Sequence, residues 1–171
     1  MTQSEFLKIV IPLKDKVYRL SKRLLTSREE AEDATQEVLV KLWNKKQDLK
    51  QYKSIEALTM TLTKNYCLDR LKSKQASNLQ LVHSNYTSRE AGLDKATEDR
   101  DRLRWVEKII NQLPEKQRMV IQLREIEELE FEEIAKIMEI TPENARVVLS
   151  RARKALREEI EKINNYGITK Y

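Results

Sequence analysis

Apolar residues recur along this chain at intervals of three and four, the period of one helical face, so the sequence predicts helices from end to end. Phe6, Ile9, Val10, Leu13, Val17, Leu20 and Leu24 trace a first stripe, with a kink expected at Pro12 and the capping-box pair Thr2 and Glu5 ahead of it. Ser27 and Glu30 repeat that spacing and open a second helix with Ala31, Ala34, Val38, Leu39 and Leu42 on its core face. Asp33, Gln36, Glu37 and Val40 project away from that core together. Such a patch reads as a solvated face or, given the outward Val40, as a dock for a partner carrying basic residues.

Residues 45–53 form a basic loop, and Ser54 is placed to cap a third helix. Its apolar residues fall into two stripes, Ile55, Leu58, Leu62 and Tyr66 against Met60, Cys67 and Leu71, so it belongs between two neighbours. Asn65 and Asp69 stand beside the first stripe and suit a structural hydrogen bond. Arg70, Lys72 and Lys74 make the far end basic, and Tyr52 and Tyr66 add rings on which unstacked bases could rest. The period then fades into Ser, Asn, Thr and Gln, which divides the chain into domains at 1–75 and 99–165, a linker at 76–98 and a tail at 166–171.

The second domain begins with Leu103, Val106, Ile109, Ile110 and Leu113, and a further helix from Pro114 carries Met119, Val120, Leu123 and Ile126. Two helices close together follow. FEEIAKIM turns Ile134, Ala135 and Met138 inward, and after a short turn Thr141 caps a helix with Pro142 in its first position and Asn144 beside the cap. Ala145, Val148, Leu149, Ala152 and Leu156 share one face of that helix, while Arg146, Val147, Ser150, Arg151 and Lys154 spread over the other. The pair has the spacing of a helix-turn-helix, whose second helix enters the major groove. Glu143, Arg146, Val147 and Ser150 would then read base edges, and Arg151, Arg153 and Lys154 would hold phosphates. A solvated face is the common alternative for an arginine-rich helix, but Val147 exposed among the arginines argues against it. The helix continues through Ile160 and Ile163 until Asn164, Asn165 and Gly167 are expected to end it.

Composition sharpens this picture. With 36% charged residues, 6% aromatics, 2 Gly and 3 Pro, the chain is expected to be all-α. A net charge of +5 over 28 acidic residues favours a polyanionic partner met by a local basic surface. No apolar run spans a bilayer and no leader opens the chain, so a cytoplasmic protein without membrane insertion is expected. One cysteine, Cys67, and one histidine, His83, leave no metal-ligand cluster or catalytic triad, and no glycine-rich phosphate loop is present. No active site, cofactor or metal is expected.

The segments AEDATQEVLVKLW (31–43), TKNYCLDRLKS (63–73), NQLPEKQRMVIQLREIE and EEIAKIMEITPENARVVLSRARKALR, in this order, resemble the RNA polymerase sigma factors of the extracytoplasmic-function group, within the sigma-70 family. The resemblance covers most of the chain. It implies an all-α protein of two small helical domains, a region 2-like bundle and a region 4-like helix-turn-helix, joined by a flexible linker. It implies a promoter-specificity subunit with core RNA polymerase and promoter DNA as partners and an anti-sigma factor as a candidate third. Asp33, Gln36, Glu37 and Val40 would dock a coiled coil of the polymerase's largest subunit, and the C-terminal domain would meet its flap region. Lys50, Tyr52, Lys53, Asn65, Arg70 and Lys72 would act at the −10 element; Glu143, Asn144, Arg146, Val147, Ser150, Arg151, Arg153 and Lys154 would act at the −35 element. The chain departs from the family at Leu58, where an aromatic is frequent, and at Glu128 and Glu139, where glycine is frequent. A stand-alone helix-turn-helix regulator is the alternative reading; a nuclease would need a metal-binding carboxylate cluster, for which Asp33 and Glu37 are one weak pair.

Overall fold

A computed structural model describes residues 1–80 and 98–168, and every regular element among them is helical. The first half is a three-helix bundle of α1 (Gln3–Leu25), α2 (Arg28–Asn44) and α3 (Ile55–Gln80). The capping box of α1 forms as the spacing requires, with Thr2 Oγ1 accepting from the Glu5 amide and the Glu5 carboxylate accepting from the Thr2 amide. Pro12 lies inside α1, which continues as one helix past it. At α2 only half of the motif is made. Ser27 accepts from the Glu30 amide, but the Glu30 carboxylate turns to Lys74 and Arg70 at the far end of α3.

The loop before α3 is held by Leu49, fully buried in a 3₁₀ turn (Leu49–Gln51), an anchor contributing about 1.5–3 kcal/mol by burial alone. Phe6 and Trp43 meet edge to face, with ring centroids 5.0 Å apart, and tie α1 to the end of α2. Helix α3 does not stop where the apolar period fades but reaches Gln80, and α4 starts at Glu98, so both helices cut into the span assigned to the linker. The rest of that span, with His83, lies outside the described residues, as do tail residues 169–171.

The second half consists of α4 (Glu98–Gln112), α5 (Glu115–Ile121), α6 (Phe131–Met138) and α7 (Pro142–Ile168). Two expected core positions face solvent instead. Leu103 is 66% exposed, near the start of α4. Ile126 is turned out because α5 ends in a π turn (Gln122–Ile126), in which the Glu127 amide donates to the Gln122 carbonyl at 3.0 Å. A bond five residues back winds the backbone more widely than an α-helix and shifts the phase of every later side chain. Consequently Glu127 occupies the buried side and Ile126 the exposed one. Helix α7 also runs through Asn164, Asn165 and Gly167 rather than ending there.

The two halves meet. Buried side chains of both belong to one continuous hydrophobic cluster, with Leu24 and Leu25 from α1 and Met119 and Val120 from α5 among its members. Over it lies a polar junction: Arg19 donates to both Glu127 carboxylate oxygens at 2.8 and 2.7 Å, and Gln122 Nε2 donates to the same carboxylate at 2.9 Å. Arg23 donates to Gln122 Oε1 and Asn111 Oδ1, both at 3.0 Å. The Glu127 carboxylate, with no exposed side-chain surface, meets this guanidinium bidentately, and its hydrogen bonds hold Arg19 above its usual value. Lys64 of α3, itself buried, reaches Glu139 at 3.4 Å.

Glu139 (φ 56°) and Glu128 (φ 59°), the two positions where the family often has glycine, both adopt left-handed backbone. Thr26, between α1 and α2, does the same at φ 61°. These residues accept a conformation that glycine takes without steric cost.

Candidate nucleic-acid interface

Helices α6 and α7 form the helix-turn-helix. Glu139 closes α6 in left-handed geometry, the Ile140 amide returns to the Ala135 carbonyl at 3.0 Å, and Thr141 Oγ1 accepts from the Asn144 amide at 3.1 Å to start α7. Ala145, Leu149 and Ala152 are buried beneath it, which fixes the opposite face toward solvent. Glu143, Asn144, Arg146, Val147, Ser150, Arg151, Arg153 and Lys154 are all exposed, on a stretch about 17 Å long at 1.5 Å per residue. That is a length a major groove can take along its course.

The cations of this face are not equivalent. Arg146 lies over the Phe131 ring, 4.7 Å from its centroid, and 3.9 Å from Glu132. Arg124 takes the same ring at 4.8 Å. Phe131 is therefore a platform that orients Arg146 before any ligand arrives. Arg153 is bonded through Nε (2.8 Å) and Nη2 to Glu125 on the π turn, and Lys154 stands 3.9 Å from Glu158. Arg151 makes no ion pair among the described residues. Neither Phe131 nor Glu125 is distinguishable by periodicity as a partner of this face, because each comes from a different element.

On α2, Asp33, Gln36, Glu37 and Val40 are exposed together, and Val40 keeps 53% of its surface in contact with solvent. Ala31, Ala34, Thr35, Val38 and Leu42 occupy the opposite side, so nothing in the helix's own packing uses the outward four. Tyr66 of α3 lies near this face beneath Lys41, 5.0 Å from its ring; burial first, and the Glu37 and Asp33 charges after it, raise the Tyr66 hydroxyl, while Arg70 opposes them. The tyrosine stays a neutral hydrogen-bonding group.

The expected −10 residues fall into two groups. Lys50, Tyr52 and Lys53 project from the loop that Leu49 anchors, with Tyr52 41% exposed. Arg70 and Lys72 lie at the other end of α3, about 25 Å along it, and Asn65 is exposed between. Arg70 is 3.8 Å from Glu30. Asp69 is exposed as well, so the structural hydrogen bond expected near Asn65 and Asp69 is not what the surface at this point offers. Cys67 is fully buried, and burial pushes its thiol up to about 11, against the weaker pull of the nearby Ser21 hydroxyl, so that the thiol stays protonated and inert at neutral pH. Among the described residues no three His, Cys, Asp or Glu side chains gather as metal ligands would, and no helix is long and apolar enough to cross a membrane.

Comparison with known proteins matches the Sigma-70 region 2 family over residues 9–77 and Sigma-70, region 4 over residues 103–156. Over 168 residues the chain is 26% identical to the extracytoplasmic-function RNA polymerase sigma factor SigW of Bacillus subtilis, spanning 92% of this chain and 90% of that one. It is 28% identical over 158 residues to the RNA polymerase sigma-H factor of Pseudomonas aeruginosa, spanning 86% and 82%. Among solved structures, the sigma factor RpoE in complex with the anti-sigma factor NepR from Bartonella quintana has the same fold, with a TM-score of 0.71 at 21% identity over 92% of this chain and 97% of that one. The structure of CnrH in complex with the cytosolic domain of CnrY gives 0.69 at 17% identity over 94% and 90%.

Proposed function

Because this chain belongs to the sigma-70 family, in its extracytoplasmic-function group, and so directs transcription initiation as a promoter-specificity subunit of RNA polymerase, we propose that its exposed faces divide that task among three ligands. The outward face of α2, through Asp33, Gln36, Glu37 and Val40, docks a basic coiled coil of the polymerase's largest subunit. The loop at 45–53 and the exposed side of α3 take single-stranded DNA of the −10 element: Lys50, Lys53, Arg70 and Lys72 follow phosphates, Tyr52 offers a ring to an unstacked base, and Asn65 offers donors and acceptors between them. Helix α7 takes duplex DNA of the −35 element, with Arg146, Val147 and Ser150 toward base edges, Glu143 and Asn144 at the helix start, and Arg151, Arg153 and Lys154 toward phosphates.

The observation that carries this division is the opposite sign of the two outward faces. An acidic face with an exposed valine suits a basic protein surface, and a cationic helix-turn-helix face suits a polyanion. Catalysis belongs to the polymerase, with which region 4 makes a second contact at the flap. An anti-sigma factor is a further partner supported by the company of the structural relatives, two of which were solved with such a protein or its counterpart bound. No observation favours the stand-alone regulator.

The test is reconstituted transcription. Core polymerase with this protein should give discrete start sites that core alone does not, and replacing Lys50, Tyr52 and Lys53 together by Ala should reduce permanganate reactivity of melted thymines while core binding persists. Unchanged reactivity in that variant would remove the loop from the melting role.

A further inference from the structure

Beside the polar junction, α1 and α4 enclose an open cleft of about 590 Å³. Arg19, Lys22 and Arg23 line it from the first half, Arg104 and Lys108 from the second, and Glu107 is the carboxylate among them. Arg19 is already neutralised by Glu127, so among the described lining residues four cations face one carboxylate, a local surplus of three positive charges.

Arg23 is the informative member. Its guanidinium is partly buried, yet the acceptors it has found are the amide oxygens of Gln122 and Asn111, which carry no charge. Burial lowers the Arg23 guanidinium from its usual value; the Glu107 charge opposes this, and the smaller effect of the Arg118 charge adds to it. The Nε of Arg118 is itself buried without a hydrogen-bond partner among the described residues. A protein interior normally answers a partly buried guanidinium with a carboxylate, because the cation otherwise loses hydration without compensation. Among the described residues no carboxylate hydrogen-bonds Arg23, and Glu107 acts on it only through its charge. Tyr18 lines the same wall.

We propose that this cleft is a binding site for a small anion bearing several phosphate groups, held by Lys22 and Arg23 from α1 and by Arg104 and Lys108 from α4. Guanidinium and ammonium donors on opposite walls suit phosphate oxygens, with the arginines binding bidentately and the lysines as point charges. Because the donors come from both halves, the occupied site adds links between region 2 and region 4 that the empty protein lacks. Anything that binds the folded chain in this way stabilises it by mass action.

Titration calorimetry of the full-length protein with sodium tripolyphosphate, at fixed ionic strength, should give saturable one-to-one binding and an unfolding midpoint that rises with ligand concentration. Arg104 and Lys108 are exposed and make none of the junction hydrogen bonds, so the double variant Arg104→Gln, Lys108→Gln should fold with an unchanged midpoint and bind at least tenfold more weakly. Equal binding by the variant overturns the proposal, as does an equal rise in midpoint with sodium sulfate at matched ionic strength, which would mean screening alone. A single-stranded oligonucleotide of about ten nucleotides distinguishes the other source of phosphate. If it binds with the same sensitivity to the double substitution and tripolyphosphate does not, the cleft tracks a nucleic-acid backbone and the proposal fails.

Discussion

The outward faces of α2 and α7 are built alike and charged oppositely. Each shows one exposed valine in a polar field, Val40 at 53% and Val147 at 45%, and each lies above a row of buried alanines and leucines. Each helix also follows a residue in left-handed backbone, Thr26 before α2 and Glu139 before α7. The difference lies in what the charges do before a ligand arrives. Asp33 and Glu37 make no ion pair among the described residues, whereas Arg146 and Arg153 are held by Phe131, Glu132 and Glu125. A face that must meet one fixed protein surface can leave its carboxylates mobile, because the partner supplies the geometry. A face that must choose among base sequences benefits from side chains aimed in advance, since ordering them is not then charged against recognition.

The largest effect should come from inverting the acidic face. The variant Asp33→Lys, Glu37→Lys replaces two attractions by two repulsions and should weaken core polymerase binding by about 100-fold, on about 1.4 kcal/mol for each tenfold. The contrast between the faces is lost if a pull-down recovers core enzyme at the wild-type level. Next is Arg146→Ala, which should relax preference at one or two positions of the −35 element by roughly 1–3 kcal/mol, read by promoter-library selection with the holoenzyme. Phe131→Leu keeps the charge and removes the platform, so its preference should fall between wild type and Arg146→Ala. An unaltered preference in both variants would mean that α7 does not read bases through this side chain.

Smaller effects separate the clamping cations. A phosphate contact changes the slope of log K against log salt concentration by about 0.9. Arg151→Ala should therefore lower the slope by about one, and Arg153→Ala by less, because Glu125 already neutralises part of that charge. Equal slopes for the two would show that the Glu125 bond opens without cost on DNA. The smallest effect concerns the residues that launch the two helices. Relieving left-handed backbone should stabilise Thr26→Gly by up to about 1 kcal/mol in chemical denaturation, the gain being the αL cost less the extra entropy of glycine in the unfolded chain. Glu139→Gly should gain less, because it leaves the buried Lys64 without its carboxylate.

Much of this molecule could be read from residue order, and its failures have a common cause. The Thr2 and Thr141 caps, the buried side of α2, and the exposed side of α7 follow from local spacing, and the structure has each of them. Ile126 was misplaced because a π turn changes the period without a residue type that announces it. Leu49 was hidden in a polar loop, as a single anchor has no period at all. The junction of Arg19, Arg23, Gln122 and Glu127 joins residues about a hundred positions apart, and in sequence each of these is one more polar residue among many. At the candidate sites, residue identities were legible but their state was not: that Arg153 is tied to Glu125 and Arg146 stacked on Phe131 depends on elements brought together by the fold.

The π turn makes the contact between the two halves a question of reading frame along one helix. A single-codon deletion within 123–126 would shorten the bond from the Glu127 amide to the Gln122 carbonyl from five residues to the α-helical four and leave Glu127 and every later side chain in its present phase. Glu127 would keep its place against Arg19, and only the residue that the wide turn carries in excess would be gone. The π turn thus absorbs one extra residue without moving the charged tie between these regions or the helix-turn-helix beyond it.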